Sequence, residues 1–240
     1  NKVHGFEALL RWQHPERGMV SPDDFIPILE NSEHMIALGY WVIHRCFELY
    51  GEMRNIGLTD VKIAINLSAA QFADVNLPSY LQQLLEEFEV NAQGFELELT
   101  EQTLVKDIDK AIETMDALRE LGFSFAIDDF GTGYSSLAYL KRMPVDVIKI
   151  DKSFVFGMLE NHADFQIIMS TIAMVKNLGL TVIAEGVETQ AQLRSLTEND
   201  CDLIQGYYFS KPIPEVDLFD FISREMADGY WKTAVNSDVT

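Results

Sequence analysis

Cysteine is nearly missing from this chain of 240 residues. The two present, Cys46 and Cys201, are too few for a disulfide framework, and Cys46 lies in an apolar helical stretch, Val42–Tyr50, where a reduced, buried thiol is expected. That usage fits the cytosol, either as the location of the whole protein or as the cytoplasmic part of a membrane-anchored one. Long apolar runs are lacking too. Val145–Ile150 and Leu180–Ala184 are far too short to span a bilayer, and no basic start followed by an apolar stretch marks a signal peptide. A soluble domain without direct membrane insertion is therefore expected. Positive charge is the third scarcity. The 18 basic against 38 acidic side chains leave a formal net charge of −20, which repels a polyanion over most of the surface and excludes long nucleic acid as a partner. The five histidines, His4, His14, His34, His44 and His162, form no His-Asp phosphohydrolase pattern, and no Cys/His cluster suits structural zinc. No low-complexity linker and no strong repeat beyond the βα period interrupts the chain, so residues 1–240 are read as a single domain.

What is there is a chain that is 48% apolar, enough to bury one large core. Short β-type runs alternate with helical patterns: Val3–Trp12, Lys62–Leu67, Phe95–Leu99, Ser124–Ile127, Val147–Ile150, Thr181–Ala184 and Leu203–Phe209. This alternation predicts an α/β fold with a parallel sheet or barrel. Ser21 followed by Pro22, Asp23 and Asp24 reads as a capped helix start, with the helix running towards Glu33. Ile108, Ile112, Met115, Leu118 and Leu121 repeat at helical spacing up to Gly122, and a second helix runs from about Asp164 to Leu178 before Gly179. Both glycines read as C-terminal caps. A closed eightfold barrel needs one strand more than these seven, and the missing one is expected upstream of Asn1.

Every run but the first finishes in a polar residue able to bind metal or phosphate: Asn66, Glu98, Asp128 with Asp129, Lys149, Glu185 and Gln205. Taken alone, each has an ordinary explanation. Asn66 could cap a helix starting Ser68-Ala69-Ala70-Gln71, and Glu98 could face solvent on an edge strand. Their recurrence matters because, in a parallel barrel, these ends form one ring around the active site. By strand periodicity Glu7, Leu9 and Arg11 share a face, as do Lys149 and Asp151. Several carboxylates in a partly dry mouth repel one another unless protonated or neutralised by cations. Oxygen ligands of this kind favour magnesium or manganese. Asp128 and Asp129, adjacent where the chain leaves the ladder, could both reach a metal cluster, and one could bridge two ions. Two such ions activate water and stabilise charge growing on a phosphoryl oxygen. Lys149 could orient that water or steady a phosphate, and Arg11 could fork onto a phosphate or join a salt bridge. The run Phe130–Ser136, with two glycines, is either a lid or a tight turn.

In their order along the chain, these residues resemble the EAL-domain family of cyclic di-GMP phosphodiesterases. Glu7-Ala8-Leu9 is the naming motif and Leu10-Arg11-Trp12 follows it. Asn66-Leu67-Ser68, Glu98-Leu99-Thr100-Glu101, Asp128-Asp129-Phe130-Gly131-Thr132-Gly133, Lys149-Ile150-Asp151, Ala184-Glu185-Gly186-Val187-Glu188 and Gln205-Gly206-Tyr207 complete the set. The resemblance implies a modified TIM (β/α)8 barrel, whose antiparallel strand before the first motif is absent here, and a domain taken from a larger multidomain signalling protein. It implies that one phosphodiester of cyclic di-GMP is opened to linear pGpG with two divalent cations, Mg2+ or Mn2+. Glu7, Asn66, Glu98 and Asp128 would hold one ion, with Asp128 bridging to a second held also by Asp129. Glu185 would be a ligand or the general base. Lys149 would contact the attacking water, Gln205 and Asp151 would support the site, and Leu9 and Arg11 would face the substrate. Glu101 and Glu188 would fix the lid loop, with Glu101 accepting from backbone N–H groups, Thr132 or Ser135. A homodimer through the region after Gly133 is also implied.

Overall fold

In a computed structural model of the chain, residues 3–29, 32–105, 107–133 and 140–228 are described. Strand β1 (Gly5–Ala8) leads into a small hairpin, β2 (Trp12–His14) with β3 (Gly18–Val20), and then into helices α1 (Pro22–Leu29) and α2 (Glu33–Asn55). Next come β4 (Lys62–Asn66), α3 (Ala69–Phe72), α4 (Leu77–Glu87), β5 (Phe95–Thr100), α5 (Glu101–Val105) and α6 (Ile108–Glu120). The second half holds β6 (Ser124–Phe130), β7 (Val147–Ile150), α7 (Lys152–Gly157), α8 (His162–Asn177), β8 (Thr181–Ala184), α9 (Gln190–Glu198), β9 (Leu203–Ile204) and α10 (Glu215–Asp228).

Seven strands form one sheet in the order β1-β4-β5-β6-β7-β8-β9, every neighbouring pair parallel. Spatial order follows chain order, as expected when each crossover turns the same way around a curling sheet. The curl brings the two ends together at the C-terminal side, where Gln205, just past β9, donates from Nε2 to Glu7 Oε2 of β1 at 2.6 Å.

The two faces of the sheet differ in kind. Ile63, Ile65, Phe95, Leu97, Phe125, Ile148, Ile150 and Val182 point outward and are buried under the helices. Phe47 of α2 stacks on Phe95 at 4.1 Å, and Met115, Leu118, Ile168, Val175 and Leu196 add apolar helix faces to the same layer. Burying each such side chain contributes about 1.5–3 kcal/mol, so this layer dominates the stability of the fold. The inward face, fixed by the register pairs Glu7 with Ala64, Asn66 with Glu98, Glu98 with Ala126 and Thr100 with Asp128, alternates small and charged residues.

Helix ends follow the expected chemistry. Ser68 with Gln71 and Thr189 with Gln192 form capping boxes. Gly122 (φ 103°) and Gly179 (φ 75°) lie just past α6 and α8, their N–H groups returning to Arg119 O and Lys176 O at 2.8 and 3.0 Å.

Three segments differ from the sequence expectation. The first run is not one strand to Trp12: β1 stops at Ala8, and Trp12–His14 pairs antiparallel with Gly18–Val20. The hairpin is closed by a turn in which Glu16 N and Arg17 N both donate to His14 Nδ1, with Gly18 at φ 71°. The helix expected towards Glu33 ends at Leu29, and a new helix begins at Glu33 after Ser32, whose backbone is extended (φ −122°). The last run forms a ladder only over Leu203–Ile204, because the chain then turns at Gly206, whose bare Cα lies against the Val187 backbone.

Candidate active site

The side chains at the C-terminal ends of the strands converge on Lys149. This lysine lies on the inward face of β7 and is completely buried. Its Nζ stands 2.8 Å from Glu98 Oε2, 2.8 Å from Glu185 Oε1, 3.5 Å from Asp128 Oδ1 and 3.8 Å from Glu7 Oε2. Glu7 in turn accepts from Asn66 Nδ2 at 2.7 Å on one oxygen and from Gln205 on the other. Thus strands β1, β4, β5, β6, β7 and the segments after β8 and β9 each contribute a group to one ring.

Asp128 and Asp129 join the ring by an irregularity of β6. Neighbours on a regular strand point to opposite faces. Between Ile127 and Phe130 the register with β7 slips by one residue, and Asp129 takes a left-handed backbone (φ 54°). This is a β-bulge, which re-aims side chains at the rim of a sheet. It carries a local cost of about 1–2 kcal/mol for a residue with a Cβ. In return Asp128, Asp129 and Glu185 each offer an oxygen, all within 4.8 Å of one another. Phe130 then returns to the outer face, opposite Ile150.

The electrostatics show a site short of positive charge. Burial pushes the Glu98 carboxyl well above the usual carboxylate range despite Lys149 beside it, with Glu7 and Asp128 adding to the rise. Glu185 is pushed up to about 7, first by burial, against the pull of Lys149 and with the push of Asp128 and Glu7. Asp129 is raised by burial and then by Asp128 and Asp151. Burial opposes the charge on Lys149, but the surrounding carboxylates outweigh it and hold the ammonium well above its ordinary range. Among the described residues a single ammonium faces Glu7, Glu98, Asp128, Asp129 and Glu185. A cluster of carboxylate oxygens with an excess of negative charge is the donor set that suits hard divalent cations.

The remaining expected site residues lie around the ring. Asp151 caps α7, its Oδ1 accepting from Ser153 N at 3.1 Å and from the Ser153 hydroxyl. Glu101 opens α5 directly after β5 and is buried, and a Cβ added at Gly133 would lie 3.1 Å from its carboxyl carbon, so this carboxyl rests against Gly133 of the expected lid. Thr132 is not its partner. The Thr132 hydroxyl donates instead to Asp129 O at 2.8 Å. Ser135, Ser136 and Tyr134 lie outside the described residues. Glu188 is exposed and contributes its backbone N–H to Gln192 Oε1 at the start of α9, away from the ring contacts. Leu9 and Arg11 lie beyond β1, so they share no strand face with Glu7. Leu9 is 43% exposed, and the exposed Arg11 donates to Leu10 O at 2.8 Å. What sequence reasoning missed is the bulge in β6; the turn that follows it is the tight turn offered as one reading of Phe130–Ser136. Its signal is present in Asp129-Phe130-Gly131-Thr132, a β-turn with glycine at the third position, where a positive φ (99° here) is needed.

Comparison with known proteins gives a consistent picture. A family model described as "EAL domain" matches residues 1–212. The chain is 42% identical over 221 residues to "Cyclic di-GMP phosphodiesterase NbdA" of Pseudomonas aeruginosa, covering 92% of this chain and 28% of that protein. It is 37% identical over 214 residues to "Bifunctional diguanylate cyclase/cyclic di-GMP phosphodiesterase MucR" of the same organism, covering 89% of this chain and 31% of that one. The chain thus spans less than a third of the length of these curated relatives. Among solved structures, "PaMucR Phosphodiesterase, c-di-GMP complex" superposes with a TM-score of 0.85 at 37% identity, over 88% of this chain and 86% of that one.

Proposed function

This chain belongs to the EAL-domain family, and on that premise we propose that it hydrolyses one phosphodiester bond of cyclic di-GMP to linear pGpG, using two divalent cations, Mg2+ or Mn2+. The observation that carries the reading is the convergence of Asp128, Asp129 and Glu185 beside the buried Lys149. The family match and the ligand named in the MucR complex supply the substrate.

Glu7, Asn66, Glu98 and Asp128 would hold one ion, and Asp128, Asp129 and Glu185 the other. Glu185 is assigned to the second ion rather than to base work because its oxygen groups with those of the two aspartates. Bound there, such ions lower the pKa of water and neutralise charge on the phosphoryl oxygens. Lys149 holds a fixed positive charge where the attacking oxygen and the phosphate approach, and the dry walls around it strengthen that charge. Gln205 and Asn66 pin the two oxygens of Glu7, and Asp151 fixes the start of α7 below the bulge. Arg11 and Leu9, on the rim, would meet the rest of the dinucleotide, while Glu101 and Glu188 would restrain the lid. A homodimer through residues after Gly133 and a cytoplasmic location belong to the same proposal. No helix among the described residues is long and apolar enough to cross a membrane.

The test is incubation of the purified chain with cyclic di-GMP and Mg2+ or Mn2+, then chromatography against pGpG. Metal-dependent appearance of pGpG is expected. Tight binding without turnover would instead make the barrel a receptor for the dinucleotide.

A further inference from the structure

The geometry points to Thr132 as a positioning residue of this site: its hydroxyl clamps the Asp129 carbonyl and so keeps both carboxylates of the bulge turned towards the cations. This rests on the reading of the ring as a metal-dependent phosphodiesterase site. Asp129 sits in left-handed backbone, a conformation that aspartate adopts more readily than other residues with a Cβ but that still needs local hydrogen bonds to hold it. Three hydrogen bonds hold this one. Asp129 N donates to Asp128 Oδ1 at 2.9 Å, Thr132 N donates to Asp129 O at 3.3 Å, and Thr132 Oγ1 donates to the same carbonyl at 2.8 Å. The backbone bond that closes the turn is long, so the hydroxyl makes the shorter contact to that oxygen.

Thr132 is itself exposed and is not held by packing of its side chain, while its neighbours Gly131 and Gly133 lie close to Phe154 and Glu101. Glycine flanks it on both sides, and Gly131 at φ 99° has no side chain to fix the turn. The hydroxyl is the side-chain group of this turn that can select the bulged conformer over a regular strand continuation. In a regular continuation Asp129 would point to the face opposite Asp128, and the second cation would lose a carboxylate.

The test compares Thr132→Val, which keeps the shape and removes the hydroxyl, with Thr132→Ser, which keeps the hydroxyl. Mn2+ binding is followed by calorimetry without substrate, and kcat and KM for cyclic di-GMP are measured separately. Outer groups that orient metal ligands typically matter by about 10–100-fold in affinity or activity, and a loss in that range is expected for Thr132→Val in Mn2+ affinity and in kcat, with KM changed less. Thr132→Ser should restore both. Unchanged Mn2+ affinity in Thr132→Val overturns the assignment, also when its melting temperature falls, because that marks a purely structural role. A Thr132→Ser variant as impaired as Thr132→Val overturns it as well. If the wild type binds Mn2+ but leaves cyclic di-GMP intact, the proposed function fails, while the Mn2+ comparison still decides the role of Thr132.

Discussion

At the residue scale the site is organised by opposite charge held out of water. Lys149 is buried among carboxylates, and these are what sustain its charge against burial. Lys149→Ala should therefore lower kcat much more than it raises KM, since the ammonium meets charge that grows in the transition state; a change confined to KM would assign it to uniform binding. On the proposed two-metal reading, Asp128→Asn keeps the shape but removes the negative charge that two ions would share, and should nearly abolish turnover with the fold intact. Turnover at the wild-type level in that variant would remove the two-metal assignment. The thiols give a contrasting case. Burial pushes both Cys46 and Cys201 up to about 12. Their reactive thiolate is then scarce at pH 7 and grows only as pH rises towards 12. Labelling by a disulfide reagent at pH 7 should be slow in the native protein and fast in urea; rapid native labelling would contradict the burial. The acids and amides at the strand ends were legible in the sequence because a parallel sheet sends them all to one rim. Arg11 and Glu188 were less so, because beyond the last ladder bond the period of two no longer says where a side chain points.

At the scale of elements, β5 with α5 and β6 with its bulge carry the decisive geometry. Glu101 turns from strand to helix with its carboxyl against Gly133. Removing it in Glu101→Ala should free a glycine-bearing segment with much backbone entropy to lose on ordering. Activity should fall at least about tenfold, as for other outer groups of metal sites, while Glu7, Asn66 and Glu98 keep their places in a crystal structure; full activity with an ordered segment would defeat the restraint. The central strands β4 to β8 were readable to within a few residues from short apolar runs between turn signals. Of the hairpin only Trp12 was taken into the first strand, because it extends the run of Leu9 and Leu10; the hairpin itself was missed, although His14-Pro15-Glu16-Arg17-Gly18 carried a turn. The bulge was hidden because two of the hydrogen bonds that close it come from Thr132, three positions downstream, and not from the strand itself.

For the whole molecule, a net charge of −20 adds repulsion to that of the ring. Divalent cations that bind the folded ring and not the unfolded chain should stabilise the fold by about 2.7 kcal/mol at 100 times their dissociation constant. A rise in melting temperature with Mn2+, reversed by chelator and weakened in Asp128→Asn, is the expected result; equal shifts in both proteins would place the ions elsewhere.

The seam of the sheet bears on how the ring is closed. Hydrogen-bonded strands stand about 4.8 Å apart, a spacing that side chains cannot alter. Among the described residues β1 and β9 make no such ladder, and Gln205 reaching Glu7 is what joins them at the mouth. Glu7 itself rides on the β1–β4 ladder, opposite Ala64, so its main chain is fixed on one side by strand pairing and its carboxylate on the other by Gln205. The mouth is thus closed by one side-chain hydrogen bond where every other neighbouring pair of strands is held by main chain, and this seam is where the first and last strands separate at least cost.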